Sequence, residues 1–220
     1  MPQPQPSPEE QNLDSLAQIT KSLANPTAED AALIKKAFIF AERAHLGHER
    51  LSGEPYLKHL SETAQILSEL GAGSATIVAG LLHDIGIIFL PEEKQTLLGT
   101  KYEDFSDEDW KLYKTHPHNG AKLLDGKEYV NSDILELIKI HEERSNGEGF
   151  PTGTKELTLI QEAMAMCSCY SRKVTCLKMT HQEALQDFQI NEVGRFNLTL
   201  LKKFQDIMRK ERLSDYDDKK

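Results

Sequence analysis

The chain has 220 residues, 39% of them hydrophobic and 28% charged, with a formal net charge of -9. That length suits one well-buried core, and the acidity excludes a broad nucleic-acid footprint, because phosphate backbones need clustered Lys and Arg. No segment reaches the ~20 apolar residues of a membrane span, and the opening MPQPQPSPEE has neither the basic start nor the apolar core of a secretory signal, so the expected compartment is the cytoplasm.

Taken in chain order, residues 1–8 alternate Pro with polar residues and predict a disordered start. Leu13, Leu16, Ile19 and Leu23 then recur at helical spacing from Glu9 to about Ala24, until Asn25-Pro26 interrupts them. Thr27, with Asp30 placed to complete a capping box, opens a longer helix through Ala28–His45. A Gly- and Pro-bearing loop follows over Gly47 to Pro55. Further helices read at 57–70, 75–85, 107–115, 117–124, 132–145, 156–170 and 180–210, the last with a break near Asn191. Ser74, Ser106 and Asn131 are the expected N-caps of three of them. Period-2 strand patterns are missing, so the fold class is all-α. Cys167, Cys169 and Cys176 are odd in number and therefore cannot all pair internally; buried reduced thiols are the simplest reading.

Chemistry concentrates at His83-Asp84, delivered to a helix end by the apolar run ATIVAGLL, with Gly86 free to turn the chain. Imidazole nitrogen plus carboxylate oxygen suits iron, manganese or zinc. Neighbours on a helix point about 100° apart, so both reach one ion only at a frayed end or through a bridging carboxylate. Alone, the dipeptide is equally a partly buried His beside a solvated Asp. His59, 24 residues earlier, opens an amphipathic helix that would pack against the helix of His83.

The stretch AFIFAERAHLGHERLSGEPYLKHL, followed by TIVAGLLHD, resembles the hydrolase domain of the RelA/SpoT alarmone enzymes over about residues 37–84. That resemblance implies metal ligation by His59, His83 and Asp84, and places Arg50 near a guanine nucleotide. Beyond Asp84 the alarmone enzymes carry an acidic Glu-Asp element where this chain has Ile85, Gly86 and Ile87. HDIG, then HPHNG at 116–120 and HEERSNGEGFP at 141–151, looks instead like an HD-GYP domain, the class that hydrolyses cyclic di-GMP, over roughly 83–172.

The second resemblance implies a helical HD-domain bundle with His59, His83 and Asp84 on a first metal, and Asp84, His116 and His141 on a second. Asp84 and His83 would be the catalytic centre of the site. Two ions about 3.5–4 Å apart can share a carboxylate and activate water. His116 precedes Pro117 and should emerge at a helix start, while His141 follows an apolar face that includes Ile134, Leu137 and Ile138.

The chain departs from the HD-GYP pattern at several positions. Glu142 stands where a second histidine is usual and would ligate through oxygen; Ile87 replaces a phosphate-contacting Lys. Asn146 and Phe150 replace the Asp and Tyr of the substrate-facing DGxGYP stretch, and Ser168 falls where a late Asp ligand is shared. Cys167 or Cys169 could substitute as a thiolate, or could simply fill a helix interface. His45 and His48 should lie beside the site without ligating, His118 and His181 at the surface, and Gly147 and Gly149 in a tight turn before Pro151.

The expected organisation is a tail and short accessory helix at 1–26, an HD/HD-GYP-like domain at 27–212 and a charged tail at 213–220. The expected function is hydrolysis of a cyclic dinucleotide with two divalent ions. A degenerate nucleotide-binding or protein-interaction module, and a (p)ppGpp or nucleotide pyrophosphohydrolase, are the alternatives. The expected ligand is a small guanine nucleotide, with no nucleic-acid polymer and no membrane; a homodimer or a signalling-protein partner stays open.

Overall fold

A computed structural model describes residues 7–48 and 55–217. Among the described residues ten α-helices follow in chain order: α1 (Pro8–Lys21), α2 (Ala28–Ala44), α3 (Leu57–Glu69), α4 (Ser74–Leu82), α5 (Asp107–Tyr113), α6 (His116–Leu124), α7 (Ser132–Ile140), α8 (Leu159–Ser171), α9 (His181–Asn191) and α10 (Leu198–Asp217). Short 3₁₀ turns at Ile85–Phe89, Glu92–Gly99 and Tyr102–Asp104 link α4 to α5, and a π-helical turn, Arg172–Cys176, extends α8. No strand occurs among the described residues, although Val193 and Phe196 form an isolated bridge, so the all-α class holds.

α4 lies at the centre because its sequence is apolar all round: Ile77 to Leu82 are all buried. It packs on α2, α3, α7 and α8. Gly80 sets the α3–α4 approach, since a Cβ there would stand 2.7 Å from Leu67 Cδ1 and 3.3 Å from the Ala64 backbone. α1 joins the same core through fully buried Ile19, whose carbonyl accepts from Ser68 Oγ at 2.9 Å. α10 adds Leu201, Phe204 and Met208 to the core, and Arg212 ties it to Glu69 at 2.9 Å.

The capping box at Thr27 and Asp30 forms, as do the caps at Ser106 and Asn131. Gly73, not Ser74, caps α4; the Ser74 hydroxyl donates to Asp30 Oδ1 and so links two helix starts. The expected helix over 132–145 stops at Ile140, where Glu143 N–H bonds the Ile140 carbonyl and turns the chain. The expected break near Asn191 separates α9 from α10, with Gly194 at φ +83°. The 3₁₀ run after Asp84 fell where no periodicity was legible. Among the described residues no helix is long and apolar enough to cross a membrane.

Candidate metal centre

Helix ends build this site. His59 sits in the first turn of α3, His83 and Asp84 directly follow α4, His116 begins α6 and His141 follows α7. All five are buried, His83, His116 and His141 completely. They converge on one carboxylate. Asp84 Oδ2 lies 3.2 Å from His59 Nε2 and 3.3 Å from His83 Nε2; Oδ1 lies 3.2 Å from His116 Nε2 and 3.4 Å from His141 Nε2.

The far side of each ring fixes its proton. Nδ1 of His83, His116 and His141 lies 2.8, 2.6 and 2.6 Å from the carbonyls of Gly80, Tyr113 and Ile138. A carbonyl only accepts, so each Nδ1 carries hydrogen and each neutral ring turns its Nε2 lone pair inward. His59 Nδ1 lies 2.8 Å from Ser171 Oγ, which itself donates to the His59 carbonyl and therefore accepts from the ring. The inward nitrogens then face one another, His59 to His83 at 3.1 Å and His116 to His141 at 2.9 Å. Lone pairs so close repel unless a cation lies between them and Asp84. Two overlapping groups, His59–His83–Asp84 and Asp84–His116–His141, could each hold a metal ion, with backbone carbonyls orienting the rings. Burial works to raise the Asp84 pKa, but the four imidazoles around it lower it by more and hold the carboxyl well below its usual range.

Glu142 is placed differently. Its Oε1 accepts from the hydroxyls of Tyr102 at 2.9 Å and Tyr113 at 3.1 Å, and its Oε2 lies 3.5 Å from Arg144 Nη2. The carboxylate borders the centre without joining either ligand group. Ser168 Oγ stands 3.2 Å from His83 Nε2, so a neutral hydroxyl lies beside the cluster at the position matched to the late Asp of the resembled pattern. Neither candidate thiol replaces it. Cys167 is buried in the core, and Cys169 directs its Sγ to Glu192 Oε1 at 3.5 Å; burial pushes both thiols up, Cys169 to about 11.

Phe150 is buried with its ring 6.2 Å from that of His116 and 5.9 Å from that of Tyr113. Asn146 turns inward on its own loop, accepting from Glu148 N–H at 3.0 Å. Gly149 is needed for approach, as a Cβ would meet Arg144 N at 2.4 Å, and Gly147 adopts φ +85°. Arg50 lies outside the described residues. His45 packs against Tyr56 with ring centroids 4.8 Å apart, beside the site as expected. His118 is exposed, but His181 is half-buried and bonds Tyr170 Oη at 2.9 Å.

Several contributors carried no sequence motif. Tyr56 Oη donates to Asp84 Oδ2 at 2.5 Å; its only signal was a position three residues before His59. Tyr102 and Tyr113 come from a stretch with little periodicity. Glu143, fully buried, accepts from Thr152 N–H, Thr152 Oγ1 and Gly153 N–H at 2.6, 2.8 and 3.0 Å, pinning the loop that carries Phe150. A cavity of about 460 Å³ adjoins the centre through Glu142 and Ser168, with Arg144, Arg172 and Lys173 in its wall.

Residues 62–196 match a family model described as an HD domain. A probable chloroplastic GTP diphosphokinase of Arabidopsis thaliana is 54% identical over 56 residues, 26% of this chain and 8% of the relative. A cyclic di-GMP phosphodiesterase of Pseudomonas aeruginosa is 32% identical over 95 residues, 42% of this chain and 22% of the relative. The chain therefore spans less than a quarter of the length of either curated relative. Among solved structures, a HDG"Y"P protein from Bdellovibrio bacteriovorus superposes with a TM-score of 0.64 at 22% identity, covering 90% of this chain and 70% of that one, a likeness of fold.

Proposed function

The chain belongs to the HD-domain family, and on that premise we propose that it is a metal-dependent phosphohydrolase acting on a cyclic dinucleotide of the cyclic di-GMP type. One observation carries the reading: a single buried carboxylate offers each of its oxygens to a separate pair of imidazoles. When bound, two divalent ions of iron, manganese or zinc would acidify a water and neutralise phosphoryl charge.

The protein's own groups do the positioning. His59 and His83 would hold one ion, His116 and His141 the other, and Asp84 both. The Nδ1 hydrogen bonds keep the rings from rotating, so little reorganisation accompanies binding. The Tyr56 hydroxyl holds Asp84 Oδ2 in place. Phe150 and Tyr113 wall the His116 side with apolar rings, which excludes bulk water and strengthens charge interactions inside. The similarity to a cyclic di-GMP phosphodiesterase supports the substrate class.

A second reading, a nucleotide-binding module without turnover, is favoured by two observations. Ser168 brings a neutral hydroxyl to His83, and Ile87 is fully buried where a phosphate-contacting lysine would stand. Metal-loaded protein should be incubated with cyclic di-GMP and the linear products followed by chromatography. The expected result is turnover, abolished in His83→Ala/Asp84→Ala. Calorimetric binding without product would install the second reading; pyrophosphate release from ppGpp, with cyclic di-GMP inert, would replace both with a pyrophosphohydrolase.

A further inference from the structure

The cavity beside the metal centre is lined by cations, most of them neutralised. Lys173 Nζ pairs with Asp187 at 2.5 Å and Glu192 at 3.0 Å, Arg195 with Glu192 at 3.4 Å, and Lys101 with Glu103 at 3.7 Å. Arg172 differs. Its Nη2 donates to the Thr100 carbonyl at 2.5 Å and its guanidinium lies 4.1 Å from the Tyr102 ring centroid. Among the described residues no carboxylate stands within ion-pair distance of it, although it is only 9% exposed. Arg144, 4% exposed, pairs with Glu142 at 3.5 Å and bonds the Glu143 carbonyl at 2.8 Å, but its Nε–H is buried without a hydrogen-bond partner among the described residues.

A guanidinium cannot shed its proton at working pH, so burying one against a carbonyl and a ring face leaves its charge largely uncompensated. Such a cost is tolerated where an anion completes the site. The planar fork of N–H donors matches a phosphate, which it grips through parallel charge-assisted hydrogen bonds. The same cavity includes Ser168, 3.2 Å from His83, and Glu142, which directly follows His141. An anion held by Arg172 and Arg144 therefore lies in the space that opens onto the metal centre.

We propose that Arg172 and Arg144 form a phosphate subsite that holds the non-reacting phosphate of the substrate while its other phosphate is presented to Asp84 and the histidines. The assignment to a substrate rests on the phosphohydrolase reading, whereas the subsite itself is a binding claim measurable without turnover. It makes Arg172 a specificity determinant, favouring ligands with two separated phosphates over those with one.

The test is calorimetric titration of inorganic pyrophosphate, at fixed ionic strength, into the wild type, Arg172→Met and His83→Ala/Asp84→Ala. Pyrophosphate should bind both the wild type and the metal-centre variant, and Arg172→Met should weaken it by on the order of tenfold, the scale of one charge-assisted hydrogen bond. Equal affinity in Arg172→Met, or no binding by the folded metal-centre variant at millimolar concentration, overturns the subsite. Because Arg172 also tethers Thr100, Arg172→Met could misfold; the Arg172 Nε–H resonance of the wild type then decides, shifting on pyrophosphate addition if the subsite is real and staying fixed if not. A protein inert toward every nucleotide would sink the phosphohydrolase reading while leaving these titrations intact.

Discussion

Asp84 offers two oxygens to four imidazoles, while His116 touches only one of those oxygens, and this asymmetry yields distinct variant phenotypes. Asp84→Ala should retain no metal by elemental analysis, whereas His116→Ala should keep about one equivalent of two; equal loss in both would contradict a bridging carboxylate. Cys169 gives a pH prediction of definite sign. Burial and the Glu192 carboxylate push its thiol up to about 11, so the protonated, unreactive form persists through neutral pH. Alkylation of Cys169, followed by peptide mass mapping, should run slower at pH 8.5 in the folded protein than in urea, and should climb as pH approaches 11. A fast reaction at pH 7 would mean a thiolate, and would return this residue to the list of candidate ligands.

Between elements, the 3₁₀ turn Ile85–Phe89 approaches α6 closely, and a Cβ on Gly86 would stand 2.0 Å from the His116 carbonyl and 2.6 Å from Gly120 N. Gly86 therefore serves backbone contact, not the chain turn that its place in HDIG suggests. Gly86→Ala should cost about 1–3 kcal/mol in denaturant unfolding, because backbone must move, and should weaken the ion shared by His116 and His141 more than the other. Unchanged stability would mean that the turn can slide freely along α6. The legibility of the sequence divides along the same line. Several helix starts were readable, as Thr27, Ser106 and Asn131 show, because caps act within four residues. The five residues of the buried cluster were legible as a group because their motifs sit at helix ends. The direction of Glu142 was not, since Tyr102 and Tyr113 reach it from 40 and 29 residues away, through a segment whose 3₁₀ turns leave no period to follow. Arg172 was equally silent: nothing local distinguishes a paired cation from an unpaired one.

At the scale of the molecule, the metal centre joins α3, α4, α6 and α7 at one point, so ion binding should stabilise the whole bundle. An ion at 100 times its dissociation constant adds about 2.7 kcal/mol, which for a chain of this size is roughly 5–10 °C in Tm. Scanning calorimetry with and without chelator should show that difference in the wild type and none in His83→Ala/Asp84→Ala; an identical Tm in the wild type would mean that the centre forms without help from metal. The aromatic wall has a further, optical consequence. The chain has a single tryptophan, Trp110, whose ring lies 6.3 Å from that of Tyr113, and Tyr113 in turn lies 4.6 Å from the His116 ring. All of its indole fluorescence therefore originates one aromatic ring away from His116 of the candidate metal centre. Open-shell iron or manganese at that position would quench the emission, whereas closed-shell zinc would leave it bright, so the colour-blind question of which metal the protein carries becomes one that its own lone fluorophore answers.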